Sequence, residues 1–214
     1  MKGLVVFDLD STLIDAEAID ELGKYTNKKQ EIEEITQRAM EGELNYKQSL
    51  EKRVSKIEGI KRQEIVNLAK NLPLMPGAKK LINELKRMDY STAIITGSFE
   101  TVAKTVNKKL GVDHIIANKL VFDEKNKTTG KVTGPLREKG KKGKELKKLL
   151  SDLKITNSKC VFAVGDGAND LSMIEVADLG ISFNGNSILD QHSDLIIKQK
   201  DLTKVLTKIR DKTC

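Results

Sequence analysis

The chain has 214 residues, enough for one large α/β domain or a core domain with a smaller insertion, and its 38 basic and 31 acidic residues give a formal charge of +7. Aromatic residues are 4% of the chain and Trp is absent, and neither an arginine-rich block nor zinc-finger spacing occurs, so the positive charge reads as a solvated lysine surface with no nucleic-acid partner. No apolar run approaches the ~20 residues that span a bilayer, and no secretory layout precedes the first strand, so a cytoplasmic protein with no membrane partner is expected. Cys160 and Cys214 lack partner spacing and read as unpaired thiols of a reducing compartment.

The chain opens on Val5-Val6-Phe7, an apolar run that reads as a buried strand and ends in Asp8-Leu9-Asp10-Ser11-Thr12. Carboxylates at i and i+2 share a face while the chain stays extended, so Asp8 and Asp10 can converge on one point. Two like charges held close call for a cation or a shared proton, and an oxygen-only ligand set suits a hard ion such as Mg2+ best.

From Leu13 to about Asn71 the strand period gives way to helical spacing in about four short helices, and Pro73-Leu74-Met75-Pro76-Gly77 closes the block. An all-helical block after the first strand reads as an inserted domain, 14–72, between core segments 1–13 and 73–214. The α/β alternation then resumes. It predicts a helix over 78–88, a strand over 90–95, a helix over 100–110 and a short strand over 114–117. Leu120 to Leu136 reads as a hairpin about Asp123-Glu124-Lys125-Asn126-Lys127, on the flank of the core. A lysine-rich helix over 141–153, a strand over 160–164, a helix over 171–177, two extended stretches over 179–183 and 194–197 and a helix from Asp201 complete the pattern.

Three further stretches carry chemistry. Thr96-Gly97-Ser98 ends an apolar strand with a hydroxyl and a glycine that lets backbone N–H groups approach an oxyanion. Lysines 139, 141, 142 and 144 crowd a helix start, where the dipole disfavours cations and an anion would compensate, although the residues alone do not say which one turns inward. Gly165-Asp166-Gly167-Ala168-Asn169-Asp170 ends a third apolar strand. Its five specified letters recur by chance about once in a million starts. Asp166 is placed to share a cation with Asp8, and Asp170 lies one turn on. Carboxylates, a hydroxyl and a lysine at neighbouring strand ends, with no Ser/His or Cys/His pairing, point to phosphoryl transfer through an aspartate nucleophile.

These four stretches, in this order, resemble the motifs of the haloacid dehalogenase superfamily along the whole chain. Within it, Glu17, Ala39-Met40-Glu41-Gly42 and Ser49-Leu50-Glu51-Lys52-Arg53-Val54 resemble the cap of the phosphoserine phosphatase family. The resemblance implies an α/β fold, with a Rossmann-like parallel sheet core, an inserted four-helix cap and a flanking hairpin. It implies Asp8 as nucleophile and Asp10 as general acid and base. Mg2+ would be held by Asp8, the backbone carbonyl of Asp10, and Asp166, with Asp170 behind. Thr96, Gly97 and Lys142 would hold the phosphate; Lys142-Gly143 followed by Glu145-Leu146 is what selects Lys142. Glu17 would meet an ammonium, Arg53 a carboxylate, Met40 and Tyr46 would close the lid, and Asn169 would position the substrate, a small phosphomonoester. The activity implied is hydrolysis of O-phospho-L-serine; another small phosphomonoester, or transfer to an acceptor, is the alternative. Oligomeric state is not read. Thr96, Ser98 and Tyr46 stand where that family usually has Ser, Gly and Phe.

Overall fold

In a computed structural model, residues 2–40, 43–155 and 160–211 are described, the side chain of Met40 excepted. The fold is α/β, built on a seven-stranded sheet of order β4-β3-β2-β1-β5-β6-β7. The strands are β1 (Gly3–Phe7), β2 (Tyr90–Phe99), β3 (His114–Phe122), β4 (Thr128–Thr133), β5 (Cys160–Gly165), β6 (Leu179–Phe183) and β7 (Leu195–Ile197). All pairings are parallel except β3 with β4.

β1 lies at the centre and is buried along its length because both faces of a parallel sheet are covered. Val5 and Phe7 enter one apolar cluster, while Leu4 and Val6 enter the other. The first cluster takes in Leu81, Ile82 and Leu85 of α5 (Ala78–Arg87), Val102 and Val106 of α6 (Glu100–Leu110), and Val205 and Leu206 of α10 (Thr203–Asp211). The second holds Leu146 and Leu149 of α7 (Lys141–Asp152), Met173 of α8 (Leu171–Ile174) and Leu189 of α9 (Ser187–Gln191).

Between β1 and α5 stand four helices, α1 (Ala18–Gly23), α2 (Lys29–Met40), α3 (Tyr46–Ser55) and α4 (Arg62–Asn71). Both stems of this insertion meet: the Asp15 N–H donates to Pro73 O (3.0 Å), the Met75 N–H to Leu13 O (2.9 Å), and Ile14 bridges Leu74. At its far side the insertion is pinned to β4. The Gly59 N–H donates to Thr128 O, the Thr128 N–H to Ile60 O, and the buried Thr128 hydroxyl to Ile57 O.

Three expectations change. The strand at 114–117 and the first arm of the hairpin are one strand, β3, which pairs parallel with β2 and then antiparallel with β4; Asn118-Lys119 between the two stretches stays extended. A short helix, α9, replaces an unassigned stretch, and Asn186 caps it by accepting from the Leu189 N–H. Cys160 is buried and disulfide-bonded, not the unpaired thiol expected from the absence of a nearby cysteine; Cys214 lies outside the described residues. Among the described residues no helix is long and apolar enough to cross a membrane.

Candidate active site

Register carries three of the four sequence motifs to one place. Phe7 pairs with Ile94 on one side and Val164 on the other, so Asp8, Thr96 and Asp166 emerge within two residues of the last paired row on adjacent strands. The chain leaves β1 for β2 on one side and returns through β5 on the other, which makes this the topological switch point where open α/β sheets bind ligands.

Asp8 is 5% exposed. Its Oδ1 accepts the Leu9 N–H at 2.7 Å, and its Oδ2 faces the Lys142 Nζ at 2.8 Å. Lys142, at the start of α7, is itself buried and pairs with Asp170 as well. Gly143 beside it lets the helix lie against α8, for a Cβ there would come within 2.2 Å of Ser172 O. Of the lysines crowding this helix start, Lys142 is the one that turns inward. Burial opposes its charge, but Asp170 and Asp8 outweigh that and raise its pKa.

Asp170 is fully buried and acts as a hub. Its Oδ2 accepts the Asp166 and Gly167 N–H groups at 3.1 and 3.0 Å, which bends the 165–170 loop around it. Gly165 is required there, since a Cβ would lie 2.4 Å from the Asp170 carboxyl carbon. Asp8, Asp166 and Asp170 each place a carboxylate oxygen within 4.8 Å of the others. Burial and the charges of Asp170 and Asp8 push Asp166 up to about 9, and burial and Asp8 raise Asp170 to about 6. Three carboxylates against one lysine leave the pocket short of positive charge, so the site fits a divalent metal ion.

Asp10 stands outside that cluster. Its Oδ1 accepts the Ala18 N–H at 3.0 Å, at the start of α1, and its carboxylate is not one of the three that cluster. Burial, then Glu17 and Asp8, holds its carboxyl well above the usual range, against an opposing hydrogen bond from Ser98.

Thr96 is 1% exposed and its Oγ1 accepts the Ser98 N–H at 3.1 Å. Above Gly97 stands Tyr46, at the first turn of α3: a Cβ on Gly97 would lie 2.2 Å from the Tyr46 hydroxyl. Arg53, two turns along the same helix, acts electrostatically on Tyr46, Glu17 and Asp20. Glu17 accepts from the Ser11 hydroxyl at 2.6 Å. Asn169 sits in the 165–170 loop with its Oδ1 over Gly167. Met40 ends α2, and its side chain lies outside the described residues.

Three groups of this pocket were given no contact by sequence reasoning, although Ser98 stood out there as a departure from the family's usual Gly. Thr12 donates to Asp166 Oδ1 at 3.2 Å and thereby joins the first strand end to the third. The Ser11 hydroxyl fixes Glu17, and the Ser98 hydroxyl reaches Asp10. All three lie inside motif stretches, so proximity to Asp8, Asp10 and Thr96 was the available signal.

A family model described as haloacid dehalogenase-like hydrolase matches residues 3–178. A phosphoserine phosphatase of Methanocaldococcus jannaschii is 37% identical over 209 residues, covering 98% of both chains. One of Idiomarina loihiensis is 38% identical over 96% of this chain and 92% of its own. Among solved structures, a phospho-aspartyl intermediate analogue of phosphoserine phosphatase superposes with a TM-score of 0.89 at 37% identity, over 97% of this chain and 98% of that one. A substrate-bound phosphoserine phosphatase complex superposes at 0.90 with 36% identity over the same shares.

Proposed function

Because the chain belongs to the haloacid dehalogenase-like hydrolases, and within them to the phosphoserine phosphatases, we propose that it hydrolyses O-phospho-L-serine to serine and phosphate, with Asp8 as nucleophile. The observation that carries the reading is the setting of Asp8: a buried carboxylate steadied by the Leu9 N–H and Lys142, with a second carboxylate two residues on that is held protonated more readily than usual.

An Asp8 oxygen attacks phosphorus, the bond from phosphorus to the serine oxygen breaks, and Asp10 delivers a proton to that oxygen. The Ala18 N–H holds the Asp10 carboxyl in place, while burial, then Glu17 and Asp8, favour its arrival in the protonated state. In the second half, Asp10 takes a proton from water as the water oxygen attacks phosphorus, and the bond to Asp8 breaks to release phosphate. Lys142, the Thr96 hydroxyl and the Gly97 N–H hold the phosphoryl oxygens. Mg2+, held by Asp8, the Asp10 carbonyl and Asp166, with Asp170 behind, would supply charge neutralisation of the phosphoryl group.

Residues 14–72 form the cap and 1–13 with 73–214 the core, a division supported by the meeting of the stems at Leu13–Asp15 and Pro73–Met75. The cap carries the amino-acid selectivity. Glu17 faces the ammonium and Arg53 the carboxylate, while Tyr46 and Met40 close over the ester and Asn169 steadies it from the core side. The substrate is a small phosphomonoester, which the cap encloses.

The test is phosphate release from L-phosphoserine and from p-nitrophenyl phosphate, with and without Mg2+. Arg53→Ala is expected to raise KM for phosphoserine roughly 10–100-fold, the worth of a hydrogen bond to a charged group, with little change for the aryl ester. Equal effects on both would reject phosphoserine as the substrate, and equal rates on many esters in the wild type would leave only the phosphatase chemistry.

A further inference from the structure

We propose that Asn118, on β3 outside every motif, is a positioning residue for the phosphate site, one that orients the Thr96 hydroxyl by holding the Gly97–Ser98 peptide. The inference rests on the reading that Thr96 and Gly97 bind the phosphoryl group.

The argument starts from a break in register. β2 and β3 pair residue for residue from Ala93↔His114 to Thr96↔Ala117, and the next pair is Phe99↔Asn118. Gly97 and Ser98 therefore bulge out of β2 with no partners on β3, and bulges re-aim side chains beside active sites. Asn118 is fully buried behind this bulge. Its Nδ2 donates to Gly97 O at 2.9 Å and to Leu136 O at 3.1 Å, and its Oδ1 accepts the Leu136 N–H at 2.9 Å. Both amide hydrogens and the amide oxygen are used. Gly134 makes room for this side chain: at φ +123° it has no Cβ, and one placed there would lie 2.8 Å from Asn118 Cα.

The consequence passes through one peptide plane. In a trans peptide the C=O and N–H point in opposite directions. With the Gly97 carbonyl drawn back onto Asn118, the Ser98 N–H points forward and donates to Thr96 Oγ1. That hydroxyl has one hydrogen to give. Accepting from Ser98 occupies an oxygen lone pair and leaves the hydrogen for an oxyanion. The bonds to Leu136 add a second effect, because Leu136 lies in the loop leading to α7, whose start carries Lys142. Asn118 thus couples the two phosphate-holding segments contributed from either side of Asp8.

The experiment compares Asn118→Asp and Asn118→Ala with the wild type, by kinetics on phosphoserine and p-nitrophenyl phosphate and by inhibition with inorganic phosphate, each normalised to folded protein. Asp keeps the acceptor for the Leu136 N–H but turns its second oxygen onto the Gly97 and Leu136 carbonyls in a buried site, so it lowers the melting temperature at least as much as Ala. The expected result is that both variants lose roughly 10–100-fold in kcat/KM on both esters, the scale of a misplacement near 1 Å. Phosphate inhibition weakens in step. A lowered melting temperature with unchanged phosphate inhibition and unchanged kcat/KM overturns the inference and leaves Asn118 a packing residue. A wild type that hydrolyses neither ester and binds no phosphate removes the proposed function and this inference together, whereas an active wild type with unaltered Asp and Ala variants removes only the inference.

Discussion

The two ends of the sheet use aspartate in opposite ways. At the carboxyl ends of β1 and β5, Asp8, Asp166 and Asp170 crowd together around one lysine, and burial with mutual repulsion raises Asp166 and Asp170 above their ordinary range. At the amino ends a different arrangement repeats three times. Asp113, Asp178 and Asp194 each immediately precede a strand and clasp the neighbouring one, donating through the backbone and accepting through the side chain. The partners are Thr92, Val161 and Gly180, with side-chain distances of 2.9, 2.8 and 2.7 Å. One end stores unneutralised charge for chemistry; the other uses single carboxylates to finish strand ladders that would otherwise leave N–H groups unpaired. Aspartate count alone therefore says nothing about site or scaffold, and what distinguishes them is how many share a donor.

The sharpest separation of the two ends is Asp8→Asn. Loss of the nucleophile should lower phosphate release from every ester by at least ~10⁴-fold. Lys142 keeps Asp170 as a partner, so melting of the metal-free protein should not fall. A large loss of stability would mean that Asp8 belongs to the scaffold.

A smaller effect concerns the charge stored at the carboxyl end. Asp166 has an ordinary value of 3.8 and lies at about 9 in the fold, so the folded chain binds its proton more tightly than the unfolded chain. Stability of the metal-free protein must then fall as pH rises from about 4 towards 9. Melting of chelator-treated wild type and Asp166→Asn across that window should show a decline in the first that is flattened in the second, and Mg2+ should restore stability to the wild type alone. Parallel curves would refute the crowding account.

The difference between the ends also explains what could be seen in the sequence. Asp8, Asp10, Thr96, Gly97, Asp166 and Asp170 stand where apolar runs break into acidic, hydroxyl and glycine residues, a contrast that needs no structure to notice. Lys142 could not be told from Lys141 or Lys144 by local chemistry, because its inward turn is fixed by where α7 meets α8. Asn118 was invisible for a stronger reason: it follows an apolar run with no acidic or glycine neighbour, and its use depends on a bulge in a different strand. The clasping aspartates had a faint signature, Asp113-His114-Ile115, Asp178-Leu179-Gly180 and Asp194-Leu195-Ile196, each an acid leading directly into a strand. That pattern acquires meaning only when the neighbouring strand is known. Alternation predicted the sheet and the four-helix insertion, but the continuity of β3 was lost because its pairing changes sense midway at Asn118-Lys119, which interrupts the apolar pattern yet stays extended.

The smallest expected effect lies at the amino end. Asp113 Oδ2 accepts both the backbone N–H and the hydroxyl of fully buried Thr92, and its Oδ1 meets Lys86 at 2.8 Å. Partial burial opposes its charge, yet these partners outweigh it and the carboxyl sits below its ordinary value. Asp113→Ala leaves the Thr92 donors unpaired in the interior and should cost about 1–3 kcal/mol in denaturant unfolding. Because the folded pKa is depressed, the contribution is present above the unfolded value of 3.8 and disappears as pH falls through the folded one, so the gap between wild type and variant should close in acid. Turnover of phosphoserine, measured well below the melting temperature, should match the wild type, since Asp113 lies at the opposite end of β2 from Thr96. A variant equally stable at neutral pH would show that water replaces the clasp, and one that lost turnover would show that strain at the amino end of β2 reaches its carboxyl end.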